Sequence, residues 1–300
     1  MPSDRFPRIA FIGFGEAGQA IAAGLRDVGV TSMSAWDILF ADPAGGKLTH
    51  AAAEMGARVA ASAADAVREA DVIFSAVTAA SSLDAARSVQ EHVAAGAFFL
   101  DINSVSPGRK QEAAKLFGTH ARYVDVAVMG PIHPERHATP MLLAGRHAEA
   151  IAPVLKAMNM RASVVSAETG SAAAIKMVRS VMIKGIEALT VECFLAASRA
   201  GVEDEIMASL KKSYPTLDWP KLATYNLERM ATHGGRRAAE MEEVAETLRQ
   251  LKVDPLMAMA TVTRQREMGE MGKHPAIRDA LAKGYAAALK AIRKVTEKPT

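Results

Sequence analysis

Residues 8–18 read Arg-Ile-Ala-Phe-Ile-Gly-Phe-Gly-Glu-Ala-Gly, and no other stretch constrains the fold as strongly. A short apolar run, Ile9 to Ile12, enters Gly13-x-Gly15-x-x-Gly18. It leaves into the amphipathic pattern Ala20, Ile21, Gly24, Leu25. Strand, glycine turn, helix is the context in which this spacing marks a dinucleotide site. Gly13 permits the turn, Gly15 lets backbone approach a pyrophosphate, and Gly18 lets helix pack on strand. The pyrophosphate would rest on free N–H groups at the positive helix end. Phe14, Glu16 and Ala17, between the glycines, join them as candidate cofactor-binding residues.

Such a fingerprint also needs an acid about 20 residues further on. Met33-Ser34-Ala35-Trp36 reads as a second strand, and Asp37 stands at its end; Asp42 is a competing candidate. A carboxylate there accepts from the adenine-ribose hydroxyls and repels a 2′-phosphate. No arginine lies beside Asp37. The expected cofactor is therefore NAD or NADP, with NAD favoured.

Half of the 300 residues are hydrophobic, enough for a large core, and the length suggests two domains. The net charge of +3 comes without a Lys/Arg run dense enough for nucleic acid. One cysteine, Cys193, rules out an internal disulfide framework and fits a reducing, cytoplasmic compartment. Asp4 and Arg5 lead straight into the first strand, with no signal-peptide pattern. No apolar run reaches the roughly 18 residues of a membrane span. His133 and His137 flank Pro134, so a shared helix face for a metal is not expected.

Strand and helix patterns alternate to about residue 165. Helices are expected at Lys47–Met55, Ala63–Glu69, Ser82–Val93, Pro107–Phe117 and Ala148–Met158. Strands are expected at Arg58–Ala60, Asp71–Val77, Ala97–Asp101, Tyr123–Val128, Met141–Ala144 and Val164–Val165. Continuous apolar strands between helices imply a mainly parallel sheet covered on both faces, with room for an antiparallel addition. From Ser171 onward every segment has helical period. One long helix is expected to about Arg199, stopped near Gly201. Further helices are expected at Glu203–Ser213, Leu217–Thr232, Arg236–Leu251, Pro255–Gly269 and His274–Val295. The expected domains are 1–167 and 168–300.

Lys176, Ser180, Lys184 and Glu187 share one face of the long helix, at i, i+4, i+8 and i+11. Such a stripe faces solvent or lines a cleft. Pattern alone favours solvent, with Ile175, Val178, Met182, Ile186 and Leu189 opposite as core.

Four segments together change that weighting. Gly13, Gly15 and Gly18 match a GxGxMG fingerprint, with Ala17 in the Met place. Asp101-Ile102-Asn103-Ser104-Val105-Ser106-Pro107 is similar to D-x-S-T-x-x-P. Asp125-Val126-Ala127-Val128-Met129-Gly130-Pro131 is similar to D-A-P-V-S-G-G. Gly170, Lys176 and Ser180 align with G-x-x-x-x-x-K-x-x-x-N. In this order the segments resemble the β-hydroxyacid dehydrogenase superfamily, relatives of 6-phosphogluconate dehydrogenase and 3-hydroxyisobutyrate dehydrogenase. The likeness covers residues 8 to about 190. It extends to a less characterised branch with a distinctive C-terminal helical domain, into which His233, Arg236, Arg237 and Glu240 fit. It implies a Rossmann-type doubly wound domain followed by an all-α substrate and dimerisation domain. It also implies a homodimer built through that second domain.

The resemblance assigns catalysis to Lys176. It places Ser104, Val128, Met129, Gly130 and Ser180 against substrate, and adds Val77 and Asn103 to the cofactor-binding set. Lys184, His233 and Arg236 become candidates for an anionic small-molecule substrate. Met129, Pro131 and Ser180 depart from the family's Ser, Gly and Asn, which puts an ordinary 3-hydroxyisobutyrate-type substrate in doubt. In the implied reaction, hydride moves between nicotinamide and an alcohol carbon, and Lys176 manages the hydroxyl proton. The substrate would be a small 3-hydroxyacid, phosphorylated or decarboxylating variants included. Two alternatives stand beside this: an imine reductase on the same scaffold, against which Lys176 argues, and a non-catalytic dinucleotide-binding sensor.

Overall fold

A computed structural model describes residues 6–42 and 45–296; Asp4 and Arg5 lie outside them. Two compact units form, one up to Met177 and one from Val178 onward.

The first unit begins with β1 (Ile9–Ile12), α1 (Glu16–Asp27), β2 (Met33–Trp36), α2 (Gly46–Glu54), β3 (Ala57–Val59) and α3 (Ala63–Val67). It continues with β4 (Val72–Ser75), α4 (Ser82–Val89), β5 (Phe98–Asp101), α5 (Pro107–Phe117) and β6 (Arg122–Val128). β7 (Met141–Ala144), α6 (Ala148–Ala157) and β8 (Ala162–Ser166) complete it. The eight strands form one sheet in the order β3-β2-β1-β4-β5-β6-β7-β8. All neighbours are parallel except β6 and β7, which pair Val128 with Met141 and Asp125 with Ala144. This is the mainly parallel, doubly wound sheet expected from the sequence.

Alternation along the buried strands divides the core between the two faces. Phe11, Phe74, Leu100 and Val124 join one cluster with Ile21 and Leu25 of α1. Ile12, Ile73, Phe99 and Tyr123 join the other with Phe117 of α5. Phe11 stacks on Phe74 at 5.5 Å, which fastens β1 to β4. The strand order reverses between these two strands, so the crevice at their carboxyl ends is the place where such sheets bind ligands.

The long helix α7 (Ser171–Ala200) runs from the first unit into the second. The second unit adds α8 (Glu203–Ser213), α9 (Trp219–Gln250), α10 (Leu256–Met271), α11 (Pro275–Leu281) and α12 (Tyr285–Thr296). Phe194, Met230, Met268 and Ile292 lie in its core. None of the described helices is long and apolar enough to cross a membrane.

Two expectations need correction here. Leu217–Thr232 and Arg236–Leu251 are one helix, because Gly234-Gly235 does not break α9. Gly234 is instead where α10 crosses closely: a Cβ on it would lie 2.2 Å from the Gln265 carbonyl oxygen and 2.6 Å from the Gly269 nitrogen. Conversely, the expected helix His274–Val295 is two, divided at Gly284 with φ +94°.

The glycine pair gives a test in which packing and propensity oppose each other. Alanine improves helix propensity over glycine by about 1 kcal/mol. At Gly235, where a Cβ meets nothing within 4 Å, alanine is expected to raise the melting temperature. At Gly234 it is expected to lower stability by about 1–3 kcal/mol, because backbone must move apart. Thermal melts of the two variants read the signs directly.

Candidate active site

Gly13 takes φ +89°, and its N–H donates to the Trp36 carbonyl at 2.9 Å. A Cβ there would lie 2.5 Å from the Ala76 carbonyl oxygen and 2.7 Å from a Val77 methyl. A Cβ on Gly18 would lie 2.6 Å from the Gly13 carbonyl oxygen. Gly15, by contrast, has nothing within 4 Å of where its Cβ would be. It precedes α1 and offers no side-chain cap to it. The turn is thus closed by protein at its first and third glycines and open at its second. That is the pattern a pyrophosphate against the helix N-terminus requires, and these residues fit a dinucleotide.

Asp37 completes the fit. Its Oδ2 accepts from the Phe14 N–H at 2.7 Å, and its Oδ1 from the Leu39 N–H at 3.0 Å. The carboxylate is tied to the glycine turn. A carboxylate has about four lone-pair positions, so acceptor capacity remains for ribose hydroxyls. Phe14 can serve only through its backbone, because its ring is fully buried against Phe11 and Phe40. Glu16 is exposed and Ala17 half-buried beside it. Asn103 is buried and engaged within the protein: its Oδ1 accepts from Val77 N–H at 2.7 Å and its Nδ2 donates to Ser75 Oγ at 2.9 Å. It joins the carboxyl ends of β4 and β5.

Lys176, on the second turn of α7, donates from Nζ to Ser104 Oγ at 2.6 Å. Both side chains are half-buried, and both belong to the first unit. Residues from the second and fourth motifs therefore meet, although 72 positions separate them. The Met129 N–H, one of the groups placed against substrate, donates instead to the Pro140 carbonyl at 2.8 Å and continues the β6–β7 ladder. Val128 is half-buried, packed on the first core cluster, and Gly130 is exposed.

Sequence reasoning missed a buried charge cluster below this pair. Lys110 Nζ lies 3.0 Å from Asp101 Oδ1 and 3.7 Å from Asp125 Oδ1, all within a sealed interior. Tyr123 donates its hydroxyl to Asp101 Oδ2 at 2.7 Å. Burial, then the charges of Asp101 and Asp125, push that phenol well above its ordinary pKa, so it remains a donor. Burial also pushes the Asp125 carboxyl up, against the pull of Lys110 and of backbone N–H groups. The available signal was an aspartate in each of two apolar strands, Asp101 at the end of β5 and Asp125 within β6, which demand a buried counter-charge.

In the helical unit the polar stripe of α7 is turned inward. Ser180, Lys184 and Glu187 are only 7, 5 and 3% exposed. Lys184 pairs with Glu240 at 2.8 Å, and Glu187 binds Arg237 and Gln265. Ile175, Val178, Met182, Ile186 and Leu189, the expected core positions, are exposed instead. Charges matched across helices reverse the faces that polarity alone assigns. The Lys184 ammonium is thereby neutralised by Glu240, which weakens its case as an anion ligand. His233 is half-buried and Arg236 exposed on α9.

Among the described residues no cluster of three metal-ligating side chains occurs. Residues 8–105 match the family model described as NADP oxidoreductase coenzyme F420-dependent. Residues 197–268 match a domain of unknown function, DUF1932. A conserved hypothetical protein from Sinorhizobium meliloti 1021 is 37% identical, with 96% of each chain covered and a TM-score of 0.74. A conserved protein of unknown function, reported as structurally similar to 3-hydroxyacid dehydrogenases, is 31% identical. It is aligned over 88% of this chain and 97% of its own, with a TM-score of 0.69. Mycobacterium tuberculosis 3-hydroxyisobutyrate dehydrogenase shares the fold at 18% identity and a TM-score of 0.70, over 97% of this chain and 100% of its own. With its glycine turn, its four ordered motifs and these relatives, the chain belongs to the β-hydroxyacid dehydrogenase superfamily.

Proposed function

We propose that this protein is a nicotinamide-dependent oxidoreductase that transfers hydride between the cofactor and a small, anionic 3-hydroxyacid-type substrate. The observation that carries the reading is the Lys176–Ser104 contact at 2.6 Å, in the same unit as the glycine turn. Bound there, the nicotinamide supplies the hydride chemistry. Gly13, Gly15 and Gly18 hold the pyrophosphate through backbone, and Asp37 takes the adenine ribose. Asp37 also favours NAD over NADP, because a 2′-phosphate would meet a carboxylate. Lys176 Nζ takes the hydroxyl proton on oxidation and returns it on reduction. Ser104 Oγ, hydrogen-bonded to that nitrogen, orients it. The single cysteine supports a cytoplasmic setting.

The test is cofactor titration followed by a substrate panel. NADH is expected to bind more tightly than NADPH, by about tenfold for a carboxylate facing a phosphate. A member of a 3-hydroxyacid panel is expected to reduce NAD. Reduction of cyclic imines without hydroxyacid oxidation would favour the imine reductase, and binding without any turnover the sensor.

We further propose a homodimer in which a second copy covers the apolar face of α7. Met182 and Leu189 on that face are 63% and 57% exposed. Placing charge there, as in Leu189→Glu, is expected to yield a folded monomer in light scattering at micromolar concentration, where the unmodified chain is a dimer.

A further inference from the structure

The first turn of α7 is capped from a distant strand. Gly170, just before the helix, has φ +101° and no side chain to offer. A Cβ there would come 3.2 Å from Pro107. Asp125 on β6 supplies the missing acceptor. Its Oδ2 takes the N–H groups of Gly170 at 3.0 Å, Ala172 at 3.1 Å and Ala173 at 3.2 Å. These are amides for which a helix has no internal partner, and a carboxylate at the positive end of the dipole is the strongest acceptor for them.

Lys176 lies one helical turn beyond Ala172. The group that fixes the amides of Ala172 and Ala173 therefore fixes the direction in which Lys176 leaves the helix. A slip of one residue would rotate that direction by about 100° and carry Nζ away from Ser104. The Ser104 side of the pair is held by the same cluster. Asp101 Oδ1 accepts the Asn103 N–H at 3.0 Å, one residue before Ser104. Lys110 joins the two aspartates, and its Nζ also donates to the Asp101 carbonyl at 2.5 Å.

We propose that Asp125, clamped to Asp101 through Lys110, is the positioning residue that sets Lys176 against Ser104. The proposal rests on the reading of Lys176 as the proton-transfer group, but its test does not use turnover. Competitive acetylation, read by mass spectrometry across a pH series, reports the reactivity of Lys176 alone. Amide exchange reports the first turn of α7, and circular dichroism reports folding.

In Asp125→Ala, exchange at Ala172 and Ala173 is expected to rise about 100-fold with the loss of three charge-assisted bonds. The Lys176 labelling profile is expected to shift with it, by about tenfold in rate. Asp125→Asn keeps a neutral acceptor, so exchange there rises only about tenfold, and the labelling profile returns towards the unmodified one. A folded Asp125→Ala with an unchanged Lys176 profile overturns the proposal. Should that variant fail to fold, unchanged exchange at Ala172 and Ala173 in Asp125→Asn overturns it equally. Turnover surviving in Lys176→Ala would remove the catalytic reading while leaving these readouts as they are.

Discussion

Lys176→Ala is expected to lower turnover by about 10²–10⁴-fold, the usual worth of a positioned general acid or base. NADH affinity is expected to stay within about twofold, since no residue of the glycine turn is altered. kcat and kcat/KM should fall together, the pattern for a group that acts only as the proton moves. The geometry sets a smaller expectation for its partner. Ser104→Ala removes one hydrogen bond at 2.6 Å and leaves the Lys176 amino group in place, a loss of about 1 kcal/mol or roughly fivefold in rate. Steady-state kinetics on the hydroxyacid found by the panel, with NADH titrations of each variant, check both. Equal losses in the two variants would mean that the pair matters only as structure.

Gly13→Ala is expected to remove cofactor binding and much of the stability together. Its left-handed φ of +89° costs a side-chain-bearing residue about 1–2 kcal/mol. Its Cβ would meet the Ala76 carbonyl oxygen at 2.5 Å, so β1 and β4 would have to part where their carboxyl ends form the crevice. Gly15→Ala is the informative contrast. Its backbone is extended, with φ −73°, and nothing of the protein lies within 4 Å of the new methyl. The folded chain tolerates it, and its melting temperature without ligand is expected to be unchanged. NADH affinity is nevertheless expected to fall by about tenfold or more, because the methyl occupies the line of approach to the backbone. Melting curves with and without NADH separate the two glycines. A Gly15→Ala chain that binds normally would sink the assignment of this turn.

What was legible in the chain was local or periodic. The glycine turn and Asp37 lie within one βαβ stretch, and the Asp37 carboxylate does reach the turn. Buried strands alternating with helices gave the parallel sheet. What escaped is long-range. Gly234 reads as a helix breaker until α10 is laid against it. The stripe through Lys184 and Glu187 reads as a solvated face until Glu240 and Arg237 supply the opposite charges. Lys110 looks like one more polar residue on α5. Only the register of β5 against β6, which sets Asp101 beside Asp125, gives it two carboxylates to serve. The Lys176–Ser104 contact fell between these cases. Each residue was marked by its own motif, but only the fold brings them together.

Hydride transfer at the glycine-turn site, with Lys176 handling the proton, is open to isotope tracing. A 3-hydroxyacid deuterated at its carbinol carbon is mixed with NAD and the protein, and the nicotinamide ring is read by mass spectrometry. Deuterium is expected on the ring with the unmodified chain, its rate of appearance reduced about 10²–10⁴-fold in Lys176→Ala. Deuterium transferred at the same rate by Lys176→Ala, or NADH bound tightly with no deuterium transferred from any member of the panel, would contradict that mechanism.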